Sequence, residues 1–571
     1  MKYLITVFLL SALAACNLKV PEANQTVSAP TGGGVAIATA SVPAAGTTLS
    51  PSQSPAGPRR PRGIYVEIHV DLQIAQQQKT NPSITTDDIH KVLTKLYSSL
   101  LDNPAVSGLA IGVDWSRLNP NPPSNPQPYD WSYLDDAFAS ISTWNTGHPS
   151  QVPKTIQVQV SAGFGTPSWV LDQIPSCDGL FQSPPQTPAG KCGKATFIGF
   201  VEGGGGVLPM PWDAFYKESF KTFLTALADR YGANPSLVSM DVSGPTAAST
   251  EMILPNDVNT PDQSQFGGLA PNEMWSRLLA HAFPTRPEYQ KSDQAFIDEW
   301  DNAIDLFGET FHELTLMIWT GDGLINFNSA SFPIPNAFQA DCPTPSMDCA
   351  AETTILSHFI DPAVDPADAK ATGEAGMHAS AKGAGNLDVT AARQLAASTA
   401  GFTQPSAQIL AGEQFATSAA LFAVQEGCTS RFPPDKKGGS VIGPDPAALP
   451  VADIPLACLA PGVKPSDLAG YAQFQDVPAA DLISPDQAIY NVLQVFFNGT
   501  PEAAPFGGTP GTGRYNFLQI YSQDIKYATD HAQMPATILR SDGTTVKMSA
   551  QDVLNLASQK LLEMNEPQPG P

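Results

Sequence analysis

The sequence predicts an α/β fold, a (β/α)8 barrel of the TIM type with long loop insertions, on three observations. About eight strand-like runs alternate with segments of helical period, which argues a parallel sheet covered by helices. No glycine-rich phosphate loop follows any strand. After the first, the chain reads Asp71-Leu72-Gln73, which disfavours an open doubly wound sheet. The folded part would hold about 510 residues, enough for eight units with large excursions between them. An apolar fraction of 42% suffices for a core, while 54 Pro and 45 Gly suggest a loop-rich protein.

From the N-terminus, Lys2 and the apolar run Leu4 to Leu13 read as a signal peptide over residues 1–15, too short to span a membrane. Leu13-Ala14-Ala15-Cys16 resembles a bacterial lipobox, which implies lipid on Cys16. Asn17 behind it points, by resemblance to lipoproteins, to the outer membrane of a bacterial envelope, with the lipid as the sole membrane contact. Residues 16–62 are rich in Ala, Ser, Thr, Pro and Gly and nearly lack aromatics, so they read as a flexible tether. The barrel is expected over 63–571.

Gly63 to Val70 alternates and is β-branched, a strand. Thr86 reads as an N-cap, and Ile89, Leu93, Leu96 and Leu100 follow at helical spacing. Val106 to Val113 is the second strand, and a helix opens after Tyr129-Asp130-Trp131. Thr155 to Ser161 is the third strand. A long loop with two cysteines precedes the helix Trp212 to Tyr231 and the fourth strand, Leu237 to Val242. Phe296 to His312 is expected helical and Leu314 to Trp319 is the fifth strand. The sixth strand is expected near Ala375 to Ser380, a helix at Asp388 to Ala400, and the seventh strand at Ser406 to Ala411. A helix at Ala488 to Phe497, the eighth strand Tyr515 to Tyr521 and a helix Ala550 to Met564 complete the series.

Six cysteines besides Cys16 fall into three local pairs, so disulfides are expected at Cys177–Cys192, Cys342–Cys349 and Cys428–Cys458, in keeping with export. No CxxC or HExxH motif suggests a metal site, and no cofactor motif appears. The net charge of −24 repels nucleic acid. The oligomeric state is not legible.

In such a barrel the active site lies at the C-terminal ends of the strands. Those ends carry Glu67, His69 and Asp71; Asp114, Trp115 and Arg117; Trp169; Glu251; Trp319 and Asp322; His378; Glu413 and Gln414; and Tyr521 and Asp524. Aromatic platforms beside carboxylates suit a sugar, with its apolar ring faces and hydroxyl edges. Glu67, His69, Trp115, Arg117, Trp169, Trp319 and Tyr521 are the candidate substrate contacts, with Arg117 expected to pair with Asp114 or to hold a carboxylate.

Asp114-Trp115-Ser116-Arg117-Leu118-Asn119-Pro120, then Tyr129-Asp130-Trp131, resembles the second unit of clan A glycoside hydrolases, closest to the β-galactosidase-like barrels of family 42. Gly165-Thr166-Pro167-Ser168-Trp169 and Ala228 to Pro235 extend the resemblance, which covers residues 106–255. It implies a retaining hydrolase of β-glycosides acting on an oligo- or polysaccharide, with Glu251 as acid/base after strand four and Glu413 as nucleophile after strand seven. The family places Asn-Glu directly at the end of strand four. This chain has Val242-Ser243-Gly244-Pro245 there, and Glu251 lies deeper in the loop, with Asp241 as the fallback carboxylate. Either the loop folds back and returns Glu251, or the chain is a non-catalytic glycan-binding lipoprotein.

Overall fold

The computed structural model describes Arg59, most of residues 61–323, the segments 380–383 and 409–413, parts of 463–493, and 515–564 apart from 541–542. Cys16, the tether, Cys342, Cys349, Cys428 and Cys458 and the helix expected at Asp388 to Ala400 lie outside the described residues.

The chain runs β1 (Gly63–His69), α1 (Val70–Thr80), α2 (Thr86–Leu101), β2 (Val106–Asp114), α3 (Trp115–Leu118), α4 (Ser132–Gly147), β3 (Thr155–Ser161) and α5 (Ser168–Leu171). A hairpin, β4 (Lys194–Ile198) and β5 (Gly205–Pro209), precedes α6 (Ala214–Tyr231) and β6 (Leu237–Asp241). Then come β7 (Glu251–Ile253), α7 (Pro271–Ala282), α8 (Gln294–Thr310), β8 (Thr315–Gly323), β9 (Ser380–Gly383) and β10 (Ile409–Glu413). The chain continues with β11 (Tyr515–Tyr521), α9 (Ser522–Asp530), a second hairpin of β12 (Ala536–Leu539) and β13 (Thr545–Met548), and α10 (Ala550–Met564).

Eight strands form a closed ring. Its order is β1, β2, β3, β6, β8, β9, β10, β11, and β11 returns to β1. Every pairing around it is parallel. The order is that of the sequence, so each strand lies beside the next, and the eight parallel strands of a TIM-type barrel are present.

The local causes are plain. All but the last residue of Gly-Ile-Tyr-Val-Glu-Ile-His are buried, because one face of β1 lines the barrel and the other meets the helices. The hydroxyl of Thr85, one residue before the expected cap, accepts the Asp88 N–H at 3.2 Å and so starts α2. Ile89, Leu93, Tyr97 and Leu100 then form its buried stripe. Asp213 caps α6 through the Tyr216 N–H at 2.9 Å, and Tyr216, Phe220, Phe223, Leu227 and Tyr231 face the sheet. The large core lies between strands and helices. A separate small cluster, Tyr65, Ala110, Val238, Met317 and Phe517, fills the inside of the barrel.

The disulfide Cys177–Cys192 is formed just before the first hairpin, and both lie in what the sequence reading took as one long loop. The sixth and seventh strands begin five and three residues later than expected, so Glu413 belongs to its strand. The order at the N-terminal edge starts before Arg62: Arg59 donates to the carbonyls of Gly232 and Asn234, and its backbone pairs with Leu314.

Candidate active site

The barrel interior turns polar beside its apolar cluster. Gln157 and Gln159 of β3 and Gln519 of β11 are buried. The Gln159 amide donates to Gln519 Oε1 at 3.3 Å, and the Gln519 amide donates to Gln157 Oε1. These amides form a floor, and the strand-end residues stand at its rim.

At the end of β1, Glu67 Oε1 lies 2.9 Å from His69 Nε2. Both are two residues apart on one strand and so share a face. His69 fits there because its neighbour across the ladder is Gly112: a β-carbon on Gly112 would lie 2.7 Å from His69 Nδ1. Tyr521, at the end of β11, is the ladder partner of Glu67. The sequence-predicted residues Glu67, His69 and Tyr521 therefore come together.

Arg117 does not pair with Asp114 in the way first expected. It binds Asp71, in the first turn of α1, with its Nε at 2.9 Å and a terminal nitrogen at 2.8 Å, both to Oδ1. The reason is steric. β1 runs straight into α1, which brings Asp71 beside the end of β2, where its Oδ2 also accepts the Asp114 N–H at 2.8 Å. Asp71 thus fixes both the guanidinium and the strand end. Among the described residues no group donates to the Asp114 carboxyl. Burial, and then the negative charge of Asp71, push it up to about 7. Arg117 and His69 act in the opposite direction and do not cancel the rise.

Trp115 is corrected outright. It is fully buried among Trp169, Tyr216, Phe220 and Phe223, so no ring face is left for a sugar. Trp169 is only partly buried. Its indole N–H donates to the Asn119 carbonyl at 3.0 Å, and its ring meets Phe215 edge-on. The side chain of Trp319 lies outside the described residues.

Strand four decides where Glu251 goes. On one edge β8 pairs with β9, Met317 facing Ser380 and Trp319 facing Lys382. On its other edge it pairs first with β6, Asp241 facing Met317, and then with β7, Glu251 facing Trp319. Met317 and Trp319 are two residues apart. Glu251 therefore occupies the ladder position two steps past Asp241, where residue 243 would stand in an uninterrupted strand. Residues 242–250 are an excursion inserted into strand four, and β7 resumes its line.

The excursion is locked on several sides. Val242 N–H donates to the Met317 carbonyl at 2.7 Å, and Ala247 N–H to the Ile253 carbonyl at 2.7 Å. Phe164 N–H, from the turn after β3, donates to the Ala247 carbonyl at 2.7 Å. Ser249 takes a φ of 54°, uncommon for a residue with a β-carbon, and its hydroxyl accepts the Glu251 N–H at 3.2 Å. The Thr250 hydroxyl donates to Asp241 Oδ2 at 3.2 Å. Asp241 and Glu251 are both buried.

Glu413 ends β10, with Gln519 as its ladder partner. Its backbone thus sits at the C-terminal end of strand seven, at the height of the glutamine floor. Its side chain lies outside the described residues.

Three solved structures resembling this chain are glycoside-cleaving enzymes by their names. They are the catalytic domain of β-amylase from Paenibacillus polymyxa, endo-glycoceramidase II from a Rhodococcus species and β-galactosidase from the psychrophilic Marinomonas ef1. The identities are 8%, 11% and 11%, and the TM-scores 0.26, 0.24 and 0.30. The alignments cover 62%, 63% and 87% of this chain, and 92%, 75% and 59% of the respective structures. No protein-family model matches the sequence, and neither does any curated protein.

Asp71 and Asp114 stood among the strand-end residues read from the sequence but not among the expected substrate contacts. The signal was there for Asp114: Gly108, Ala110, Gly112 and Asp114 fall on one face of β2, and Ala110 lies inside the barrel. For Asp71 the sequence showed the position and not the partner, because its pairing with Arg117 depends on α1 starting without a loop.

Proposed function

We propose that this chain is a glycoside hydrolase that cleaves a β-glycosidic bond with retention, with Glu251 as acid/base and Glu413 as nucleophile. The observation that supports this reading most is the register of Glu251, which resumes strand four two steps past Asp241. The separation in sequence that suggested a lost site is taken up by the excursion 242–250. On that register Glu251 stands in line with the fourth strand of the ring, and Glu413 is the last residue of the seventh.

Retention requires the two carboxyls to stand about 5–5.5 Å apart. Glu251 in its acid form protonates the glycosidic oxygen while the Glu413 carboxylate attacks the anomeric carbon. The bond from that carbon to the leaving oxygen breaks, and an ester to Glu413 forms. Glu251, now ionised, takes a proton from water. The water oxygen attacks the anomeric carbon, releases the sugar and restores the Glu413 carboxylate. The buried amides of Gln157, Gln159 and Gln519 would give the site a fixed polar floor with few charges to clamp a phosphate.

The test is turnover of p-nitrophenyl β-galactoside and β-glucoside and of β-linked oligosaccharides. Glu413→Gln is expected to abolish turnover with the thermal midpoint retained. Glu251→Gln is expected to lose about 10²- to 10⁴-fold, the range for general acid–base catalysis. Wild-type turnover in Glu413→Gln sinks the assignment, and binding of oligosaccharide without any hydrolysis by the wild type would mark the chain as a glycan binder.

A further inference from the structure

Asp114 is a rim carboxyl that the mechanism above does not use. Asp114 is the last residue of β2 on the face that carries Gly108, Ala110 and Gly112, and Ala110 lies inside the barrel. Its neighbour below on that face, Gly112, has no side chain, and His69 occupies the space. On the other flank it meets the 3-10 turn after β3: a β-carbon on Gly165 would lie 3.0 Å from Asp114 Oδ1. Its ladder partner Ser161 is uncharged.

The charged and titratable groups around it come from three elements. β1 contributes His69, held by Glu67; α1 contributes Asp71; α3 contributes Arg117. Arg117 is engaged by both contacts to Asp71, and its guanidinium lies 5.5 Å over the Tyr133 ring of α4. The turn after β3, Gly163–Gly165, carries no titratable residue. The nearest cation is thus committed to the neighbouring carboxylate, and no described group donates to the Asp114 oxygens.

We propose that Asp114 is a specificity-determining residue of the mouth that binds a ring hydroxyl of a neutral sugar as a carboxylic acid, donating one hydrogen bond and accepting another. This deepens the glycosidase reading and rests on it. A neutral sugar brings hydroxyls and no charge, and its ring displaces the water that still reaches this half-buried carboxyl. Both effects favour the acid over the carboxylate, since an ionised group beside Asp71 would lose hydration without gaining a counter-ion. A hydroxyl both donates and accepts, and only the acid can answer in kind. A sugar lacking that hydroxyl would leave the acid's proton unpaired in a dry site, which is how a polar contact discriminates between epimers.

The acid form prevails below the value of about 7 set by burial and Asp71. Apparent affinity scales with the competent fraction, so it should fall about tenfold from pH 6 to pH 8. Asn resembles the acid in shape and in having both a donor and an acceptor, and it does not ionise. The measurement is tryptophan-fluorescence titration of full-length protein with galactose, glucose, lactose and cellobiose at pH 6 and pH 8. In parallel, KM for the p-nitrophenyl β-glycosides is followed from pH 5 to 9. Wild type should lose affinity, and KM should rise, above pH 7. Asp114→Asn should be flat across that range and match wild type at pH 6, while Asp114→Ala should bind weakly throughout. A wild-type profile retained in Asp114→Asn, or no binding of any of the four sugars at either pH, overturns the proposal. Loss of turnover in Glu413→Gln with an unchanged Asp114→Asn profile would reject this inference and leave the glycosidase reading standing. Full turnover in Glu413→Gln would reject the glycosidase reading itself.

Discussion

Asp114 is held where its own ionisation disfavours the fold. In the unfolded chain its carboxyl titrates near the ordinary value of 3.8, and in the folded protein burial and Asp71 raise that to about 7. Between those values the folded state binds the extra proton. Stability contributed by this residue is therefore full below the unfolded value and falls as pH rises through the folded one. Asn keeps the shape and removes the charge, so Asp114→Asn should raise the thermal midpoint at pH 8 and change it little at pH 4. The Asp71–Arg117 pair stays in place in that variant, which isolates the effect to one carboxyl. Melting curves at the two pH values decide it; an equal shift at both would assign the gain to packing. A residue that lowers stability at neutral pH while standing at a barrel mouth fits the general pattern in which strained electrostatics gather at functional sites.

At the scale of elements, the excursion in strand four is the structural event that matters most for the site. Its path depends on two close approaches that only glycine allows. A β-carbon on Gly163 would stand 2.2 Å from the Ala247 carbonyl oxygen and 2.5 Å from that of Thr246, and one on Gly244 would stand 2.5 Å from the Trp300 ring. Because the first obstruction is backbone, Gly163→Ala must push the excursion off the turn after β3. The expected cost is about 1–3 kcal/mol of stability, as for other overpacked sites. A loss of kcat should accompany it, since Glu251 follows the same segment. Unaltered kcat beside a lowered midpoint would show that Glu251 is placed without help from this contact. The sequence left the return of Glu251 as one of two alternatives and could not choose between them, because register is a tertiary fact. What could be read was local. β1, β2 and β3 announced themselves by β-branched runs, to within a residue at their ends. α1 did not, because only Val70 and Ile74 of its eleven residues are buried and it shows no apolar stripe. The first hairpin was hidden by the glycines Gly205 and Gly206, which give no alternation to detect. Trp115 was misread for a related reason: a tryptophan at a strand end looks the same in sequence whether its ring faces solvent or the helices.

The whole molecule must close a ring between residues far apart in the chain. β1 pairs with β11, joining Gly63 to Phe517 and Glu67 to Tyr521, so the last strand completes the barrel only after every loop between has been accommodated. Loop closure over such distances is entropically unfavourable and slow, and needs side-chain contacts to hold it. α10 supplies them. Val553, Leu554, Ala557 and Leu561 are buried, and the helix packs on both β1 and β11. A buried amide pair fastens it to the first unit: Asn103, just before β2, donates to Gln551 Oε1 at 2.7 Å, and Gln551 donates back to Asn103 Oδ1 at 3.0 Å. Asn103 also donates to the Thr529 hydroxyl of α9 at 2.9 Å, so one side chain holds both closing helices. Removing either amide takes a buried hydrogen-bond partner from the other, although Asn103 keeps Thr529 and Gln551 keeps Asn555, and leaving a buried group short of a partner costs about 1–3 kcal/mol. Asn103→Ala and Gln551→Ala should each lower the thermal midpoint. The double variant should lose less than the sum, because the second change removes the group that the first left short of a partner. Additive losses would mean that the pair is incidental and that apolar burial of α10 alone holds the ring closed.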